Sequence, residues 1–337
     1  MRAERTHRPT HSSEAVICLI HMEEPPLVTQ SQDTGSGLLA FSNSLADAVE
    51  HAGQSIVAVN ARGRVSSSGV HWRQGIIVTA DHTIERDEGI TVTLPNGKTV
   101  PATIAGRDAG TDLAVLRIEG ADLPAAEVGN PADLKVGHIV LAVARPGEGG
   151  LGTSWGAISS ISGAWRTWAG GQIDQLIRPD LTLYPGFSGG ALVDAAGRVV
   201  GINTSGLSRS LNLAIPTTTV NRVVDALLSN GRIARGFLGV AMQPVRLPEN
   251  LRSGLQSGTD AGLIVVSVEE NGPAEKAGVI VGDIITALDG KPVADTNDVQ
   301  SQLDPDRVGK PLRVQLVRGG AVTEATVTVG ERPQRGA

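Results

Sequence analysis

Residues 185–192 read Pro185-Gly186-Phe187-Ser188-Gly189-Gly190-Ala191-Leu192, a serine set among glycines at the entrance to an apolar run. A serine hydroxyl is a weak nucleophile at neutral pH. It needs an imidazole to take its proton and a carboxylate to fix the tautomer of that imidazole. It also needs backbone N–H donors aimed at the oxyanion formed on attack, and glycines let the chain turn tightly enough to supply them. Gly186 and Ser188 are the donors this stretch offers. Upstream, the two partners stand in order. Thr79-Ala80-Asp81-His82 closes the apolar run 75–80, and Thr111-Asp112-Leu113-Ala114-Val115-Leu116 puts an acid at the head of another. The chain order His82, Asp112, Ser188 makes these the candidate catalytic residues. The other histidines are poorer candidates. His7, His11 and His21 lie in an N-terminal stretch without periodicity, and His51, His71 and His138 sit in no such pattern. Asp108 is the rival acid, but it precedes a turn rather than a strand. An esterase elbow requires a helix after the serine and a different chain order, so that reading is the weaker one.

Around these segments the chain is built of short β-rich runs. Residues 55–60, 75–80, 90–94, 98–104 and 113–118 form a first group, with Asn96-Gly97 as a hairpin turn. Residues 138–143, 154–161, 172–183, 191–193 and 199–204 form a second. Two such groups of about 70 to 80 residues predict two packed β units. Val220, Val223, Val224, Leu227 and Leu228 then recur at helical spacing, so residues 217–229 are expected to be an amphipathic helix ending at Asn230-Gly231. From Gly236 a further unit follows, with strands near 237–242, 262–269, 284–288 and 312–318 and short helices near 273–278 and 296–303. A short amphipathic helix is expected at 45–51, behind a disordered tail.

Composition narrows the function classes. The 337 residues carry 29 basic and 35 acidic side chains, a net charge of −6, without a dense Lys/Arg block, which argues against a general nucleic-acid binder. The single cysteine, Cys18, excludes an intramolecular disulfide framework and a Cys-rich zinc site. No apolar stretch is long enough to predict a transmembrane helix. The run Ala15–Ile20 behind Arg2, Arg5 and Arg8 is shorter than a secretory core and is followed by Glu23 and Glu24. A cytoplasmic location is therefore expected, with an extracytoplasmic one as the alternative; Met22 is an alternative start.

With these residues in view, the chain resembles the HtrA/Deg group of trypsin-like serine proteases, which carry a PDZ domain after the protease. The resemblance covers residues 45–332. Besides the three catalytic segments it rests on Ser68-Gly69-Val70, Pro95-Asn96-Gly97, Gly129-Asn130, Val136-Gly137, Gly201-Ile202-Asn203-Thr204 and Ala214-Ile215-Pro216. It implies a mostly β fold: two six-stranded barrels with the active site in the cleft between them, then a circularly permuted PDZ domain. The implied organisation is a flexible tail at 1–44, a protease domain at 45–216, a linker helix at 217–235 and a PDZ domain at 236–332. His82 becomes the general base, Asp112 its orienting acid and Ser188 the nucleophile, with Gly186 and Ser188 forming the oxyanion hole. Three positions depart from the family's pattern. Phe187 stands where Asn or Asp is usual, Asp81 stands beside the catalytic histidine, and Arg178-Pro179 replaces Gln-Thr.

By the same resemblance Thr182, six residues before the nucleophile, forms the base of the specificity pocket, with Leu183 beside it. No carboxylate there receives Arg or Lys, so a small or medium aliphatic P1 residue is expected. Thr204, Ser205 and Gly206 match the strand that pairs with substrate backbone. Gly236-Phe237-Leu238-Gly239-Val240 matches a PDZ carboxylate loop, and Val299 and Leu303 are expected to face the same groove. The implied function is ATP-independent endoproteolysis of misfolded or unfolded proteins, no Walker loop being present. The implied partners are unfolded substrates, peptide C-termini and further copies of the chain, as a trimer or a multiple of it, with contacts near Leu39–Phe41. No cofactor or metal is implied. The alternative is a catalytically impaired scaffold or chaperone, which the departure at Phe187 keeps in play.

Overall fold

The computed structural model describes residues 34–63, 65–147, 150–208, 210–249 and 260–332. Helix α1 spans Thr34–Gly53. It begins well before the predicted 45–51 helix and corrects the expectation of a tail up to residue 44. Leu38, Phe41, Leu45, Ala48 and Ala52 continue one helical stripe through that boundary. The remainder of the expected tail, with Cys18 and the Ala15–Ile20 run, lies outside the described residues.

Strands β1 (Ile56–Asn60), β2 (Ser67–Arg73), β3 (Ile76–Ala80), β4 (Thr91–Thr93), β5 (Thr99–Asp108) and β6 (Leu113–Ile118) close a barrel in the order β1-β2-β3-β6-β5-β4. Strands β7 (Ile139–Ala144) and β8 (Gly152–Ser162) follow. Next come a small hairpin of β9 (Trp165–Arg166) and β10 (Gln172–Ile173), then β11 (Leu176–Asp180), β12 (Ala191–Asp194), β13 (Val199–Thr204) and β14 (Leu213–Pro216). All but β9 and β10 close a second barrel in the order β11-β14-β13-β12-β7-β8. Both faces of the central strands are buried, which is why they read as continuous apolar runs. Ala114 and Leu116 of β6 fill the first barrel with Val57, Val59 and Ile77, while Leu113 and Val115 turn outward. There they meet Val143, Ala191 and Ile202 of the second barrel, together with Ala48 and Ala52 of α1. Helix α2 (Thr217–Asn230) lays Val220, Val223, Val224 and Leu227 on this seam and stops at Gly231, whose φ of 71° caps it in the left-handed conformation.

The last unit is a sheet of β16 (Val240–Arg246), β17 (Ala261–Val268), β18 (Ile284–Leu288), β20 (Pro311–Arg318) and β21 (Ala321–Thr328), in that order, with β19 (Lys291–Pro292) paired to β18. Strand β15 (Gly236–Phe237) pairs with β22 (Gly330–Glu331), bringing the two ends of the unit together. Short helices α3 (Pro273–Lys276) and α4 (Thr296–Ser301) cover the sheet. Among the described residues no helix is long and apolar enough to cross a membrane.

Candidate active site

Strand pairing explains how residues thirty positions apart meet. The antiparallel register of β3 with β6 sets Ala80 opposite Leu113. The residues just past β3 therefore adjoin those just before β6. His82 sits on a one-turn 3-10 helix, Asp81–Thr83, and Asp112 occupies a left-handed conformation with φ 57°. His82 Nδ1 lies 2.8 Å from Asp112 Oδ2 and 3.0 Å from Oδ1, and the His82 backbone N–H donates to Asp112 Oδ1 at 2.9 Å. The carboxylate is buried, and it also accepts a hydrogen bond from the Thr204 hydroxyl. Acceptors on one side and an anchored ring on the other fix Nδ1 as the protonated nitrogen and leave Nε2 as the basic one.

Ser188 lies across the seam in the turn before β12 and is 8% exposed. Its hydroxyl is 3.1 Å from Ser205 Oγ and accepts from the Ser205 N–H at 3.3 Å. Among the described residues no hydrogen bond joins it to His82. The two sides are nonetheless brought together by consecutive residues. Ser205 holds Ser188, and Gly206 packs so close that a Cβ there would lie 2.5 Å from His82 Nδ1 and 2.6 Å from Asp112 Oδ2. Gly186 has a φ of 90°, open to glycine. The N–H groups of Gly186 and Ser188 have no acceptor among the described residues. Phe187 is buried beside Ala142, Ala144, Leu181 and Leu183, with Tyr184 edge-on at 5.4 Å. Its N–H donates to Tyr184 O at 2.9 Å.

Asp81 turns away from the imidazole. Arg107 Nε donates to it at 2.6 Å, and Arg107 also reaches Asp87 at 2.9 Å and the Ile84 carbonyl at 3.0 Å. Burial pushes the Asp81 carboxyl above its ordinary range, against the pull of Arg107. Asp108, the rival acid, caps its own turn. It accepts from the Thr111 hydroxyl at 2.6 Å and takes the Arg235 guanidinium on both oxygens at 2.7 and 2.8 Å.

Of the expected substrate contacts, Ser205 and Gly206 are exposed beside the catalytic pair, but Thr204 is fully buried and spends its hydroxyl on Asp112. Its side chain belongs with the His82–Asp112 pair, and its backbone is the part expected to meet a substrate. Thr182 is exposed and its carbonyl accepts from Ser154 Oγ at 2.6 Å; Leu183 packs on Phe187. In the last unit, the Leu238 and Gly239 N–H groups have no acceptor among the described residues, while their carbonyls take the N–H groups of Ala274 and Glu269 at 2.8 Å each. Val240 opens β16, which is an edge strand. Val299 is 2% exposed and lies in the core with Leu238, whereas Phe237, Val240 and Leu303 stay half-buried.

The sequence reading missed Ser68 as a contact and missed the network of Asp81 and Arg107. Both join segments far apart in the chain, and residue spacing carries no signal of that kind.

Two barrels with a histidine–aspartate pair facing a serine across their seam, followed by a sheet with a free N–H loop, define a class: a trypsin-like peptidase domain joined to a PDZ domain. The trypsin-like peptidase domain family matches residues 67–202 and the PDZ domain family residues 236–329. The solved structure of the HtrA-type protease AlgW with a decapeptide aligns with a TM-score of 0.68 and 30% identity, covering 86% of this chain and 99% of that one. The serine endoprotease from Yersinia pestis aligns with a TM-score of 0.67 and 30% identity, covering 86% and 98%. The chain belongs to the HtrA-type serine protease family. A curated relative from Pseudomonas savastanoi pv. phaseolicola, named a probable periplasmic serine endoprotease DegP-like, is 35% identical over 78% of this chain. The serine protease Do-like HtrA of Lactobacillus helveticus is 37% identical over 73% of it. The chain spans 55% and 63% of the length of these two relatives. The periplasmic naming of such relatives overturns the cytoplasmic expectation, which rested on the lack of a recognisable export segment.

Proposed function

We propose that this chain is an ATP-independent serine endopeptidase of protein quality control. It would cleave misfolded or unfolded polypeptides outside the cytoplasm. The observation that carries the reading is the His82–Asp112–Thr204 arrangement facing Ser188, with two unengaged N–H groups at Gly186 and Ser188. In this mechanism Nε2 of His82 takes the Ser188 proton as Oγ bonds to the scissile carbonyl carbon. The carbonyl oxygen becomes an oxyanion held by the two N–H groups. The imidazolium, stabilised by Asp112, gives its proton to the leaving amine as the C–N bond breaks. Water then releases the acyl group by the same steps, with His82 as base. A side-chain-independent strand pairing along Ser205–Gly206 suits unfolded substrates, and a threonine in place of a carboxylate at position 182 suits an aliphatic P1 residue.

The Leu238 and Gly239 N–H groups would receive a peptide's terminal carboxylate, while the peptide adds as a strand to the free edge of β16. The peptide-bound state of the related AlgW structure supports that use. We place the protease domain at 45–216, the linker helix at 217–235 and the PDZ domain at 236–332, and propose a trimer or a multiple of it as the assembly. A second reading, a scaffold that binds without cutting, draws on the Ser188 hydroxyl resting on Ser205 instead of His82. Reduced casein incubated without ATP with wild type and with Ser188→Ala separates the two. Cleavage by wild type alone supports the protease. Equal handling of casein by both proteins supports the scaffold.

A further inference from the structure

We propose that Ser68 is a positioning residue of the oxyanion hole; the inference rests on the protease reading above. Ser68 lies on β2 of the first barrel and is fully buried. All its polar atoms are engaged. Its hydroxyl donates to the Gly186 carbonyl at 2.8 Å and accepts from the Arg145 N–H at 2.9 Å. Its N–H donates to the Ser188 carbonyl at 3.2 Å, and its own carbonyl is held by the Thr79 hydroxyl at 2.6 Å. One residue of the first barrel thus grips the carbonyls of both residues whose N–H groups stay free, and both belong to a loop of the second barrel.

The grip fixes orientation. Each peptide unit is planar, so holding a carbonyl fixes the plane of the unit that follows. Gly186 and Ser188 are both held in this way. The unit between Gly186 and Phe187 is pinned at its other end too, by the bond from the Phe187 N–H to Tyr184. Phe187 contributes no side-chain hydrogen bond, and its apolar packing is non-directional. It keeps the loop in place without choosing which way the peptides point. Gly186, free to rotate about φ, is the residue at which the preceding peptide can turn its N–H away from the oxyanion. Ser68 fixes the carbonyl side of Gly186 and of Ser188, so the preceding units, which carry the two N–H groups, turn only about φ from a set position. The Phe187–Ser188 unit is also held by the Gly190 N–H on the Phe187 carbonyl at 3.0 Å, and Ser68 itself is anchored by Thr79 within its own barrel and by Arg145 in the other.

The test compares wild type, Ser68→Ala and Ser188→Ala on a peptide that wild type cuts, with a peptide aldehyde as a probe that closes into a tetrahedral adduct in the oxyanion hole. Ser68→Ala is expected to lower kcat by about 10- to 100-fold, toward the loss seen when one oxyanion donor is removed. KM should stay within about threefold, because ground-state binding does not use the hole. Aldehyde affinity should fall in parallel with kcat/KM, a loss that a general loosening of the fold does not produce. If Ser68→Ala does not fold, Ser68→Cys, which keeps the volume and weakens the donor, takes its place under the same criteria. A folded variant with kcat within threefold of wild type, or with the loss confined to KM, overturns the proposal alone. Absence of Ser188-dependent cleavage in wild type overturns the protease reading and this proposal with it.

Discussion

Substituting Gly206 by alanine tests whether the geometry around His82 and Asp112 is as tight as the structure makes it. The backbone at Gly206 is not left-handed, so alanine adds a methyl group without conformational strain. That methyl would stand 2.5 Å from His82 Nδ1, 2.6 Å from Asp112 Oδ2 and 3.0 Å from Asp112 Cγ. Ordinary carbon contacts need about 3.5 Å, so something must move by roughly 1 Å. Asp112 cannot yield easily, being held by Thr204 and by the backbone of His82. The displacement falls on the imidazole, or on the Ser205–Gly206 segment that also holds Ser188. A misplacement of about 1 Å at reacting groups costs on the order of 100-fold in rate, or about 2.7 kcal/mol of activation free energy. Gly206→Ala should therefore cut kcat/KM on a peptide substrate by about that factor, with a melting temperature close to wild type because the residue is exposed. Steady-state kinetics beside a melting curve checks both. Activity within threefold of wild type would refute the claim that Gly206 walls the pair.

Two further outcomes follow from the ion pairs. Arg235, in the segment joining the two domains, is largely buried against Asp108, and removing one partner of such a pair costs about 3 to 5 kcal/mol. Arg235→Met should lower the melting temperature and expose residues 231–236 to limited proteolysis; adding Asp108→Asn should recover part of the loss, and a double variant no better than the single one counts against the pairing as its cause. In the PDZ domain the hydrogen bond from Arg318 holds the buried Asp283 carboxyl below its ordinary value of 3.8. A carboxyl lowered in this way stabilises the fold at pH above its unfolded value, and the contribution is lost as pH falls through the folded one. The stability gap between wild type and Arg318→Met, read from thermal unfolding, should narrow as the pH is lowered below 3.8; a gap that is constant with pH excludes the titration of Asp283 as its source.

The sequence was most legible where both faces of a strand are buried. LAVLRI and the runs around residues 76–80 and 139–144 have little to be but central strands, and the three catalytic segments were readable because each stands at a strand end. It was least legible where polar residues are buried. Strand β2 begins Ser67-Ser68-Gly69, which has no apolar run to mark it, yet both serines are fully enclosed, Ser67 accepting from the Thr83 hydroxyl and Ser68 meeting the nucleophile loop. Strand β21 was missed because its side chains alternate between exposed and half-buried and leave only Val327 in the core. The single run expected at 172–183 is two strands, since β10 pairs with β9 in a separate hairpin while β11 joins the barrel. Thr204 was expected only for its backbone, and the bond from its hydroxyl to Asp112 was not foreseen. A threonine at a strand end gives no sign of whether its hydroxyl faces a substrate or an aspartate from the other barrel.

Phe187 shows how a departure from a family pattern has to be weighed in three dimensions. Read alone, an aromatic ring where a polar side chain is usual removes hydrogen bonds from the nucleophile's loop and favours a scaffold. In the fold the ring is almost wholly buried, and burial of a phenylalanine side chain stabilises by about 1.5 to 3 kcal/mol. That is comparable to two net hydrogen bonds, so the loop keeps its hold on the second barrel by other means. What packing cannot supply is direction, and the carbonyls of Gly186 and Ser188 obtain it from the first barrel instead. Of the loop's N–H groups, those of Phe187, Gly189 and Gly190 are engaged, and those of Gly186 and Ser188 have no acceptor among the described residues. Two N–H groups that no protein acceptor takes are of use to an oxyanion formed at Ser188, which they would stabilise in the transition state. The balance of these contacts therefore favours catalysis over passive binding at this seam.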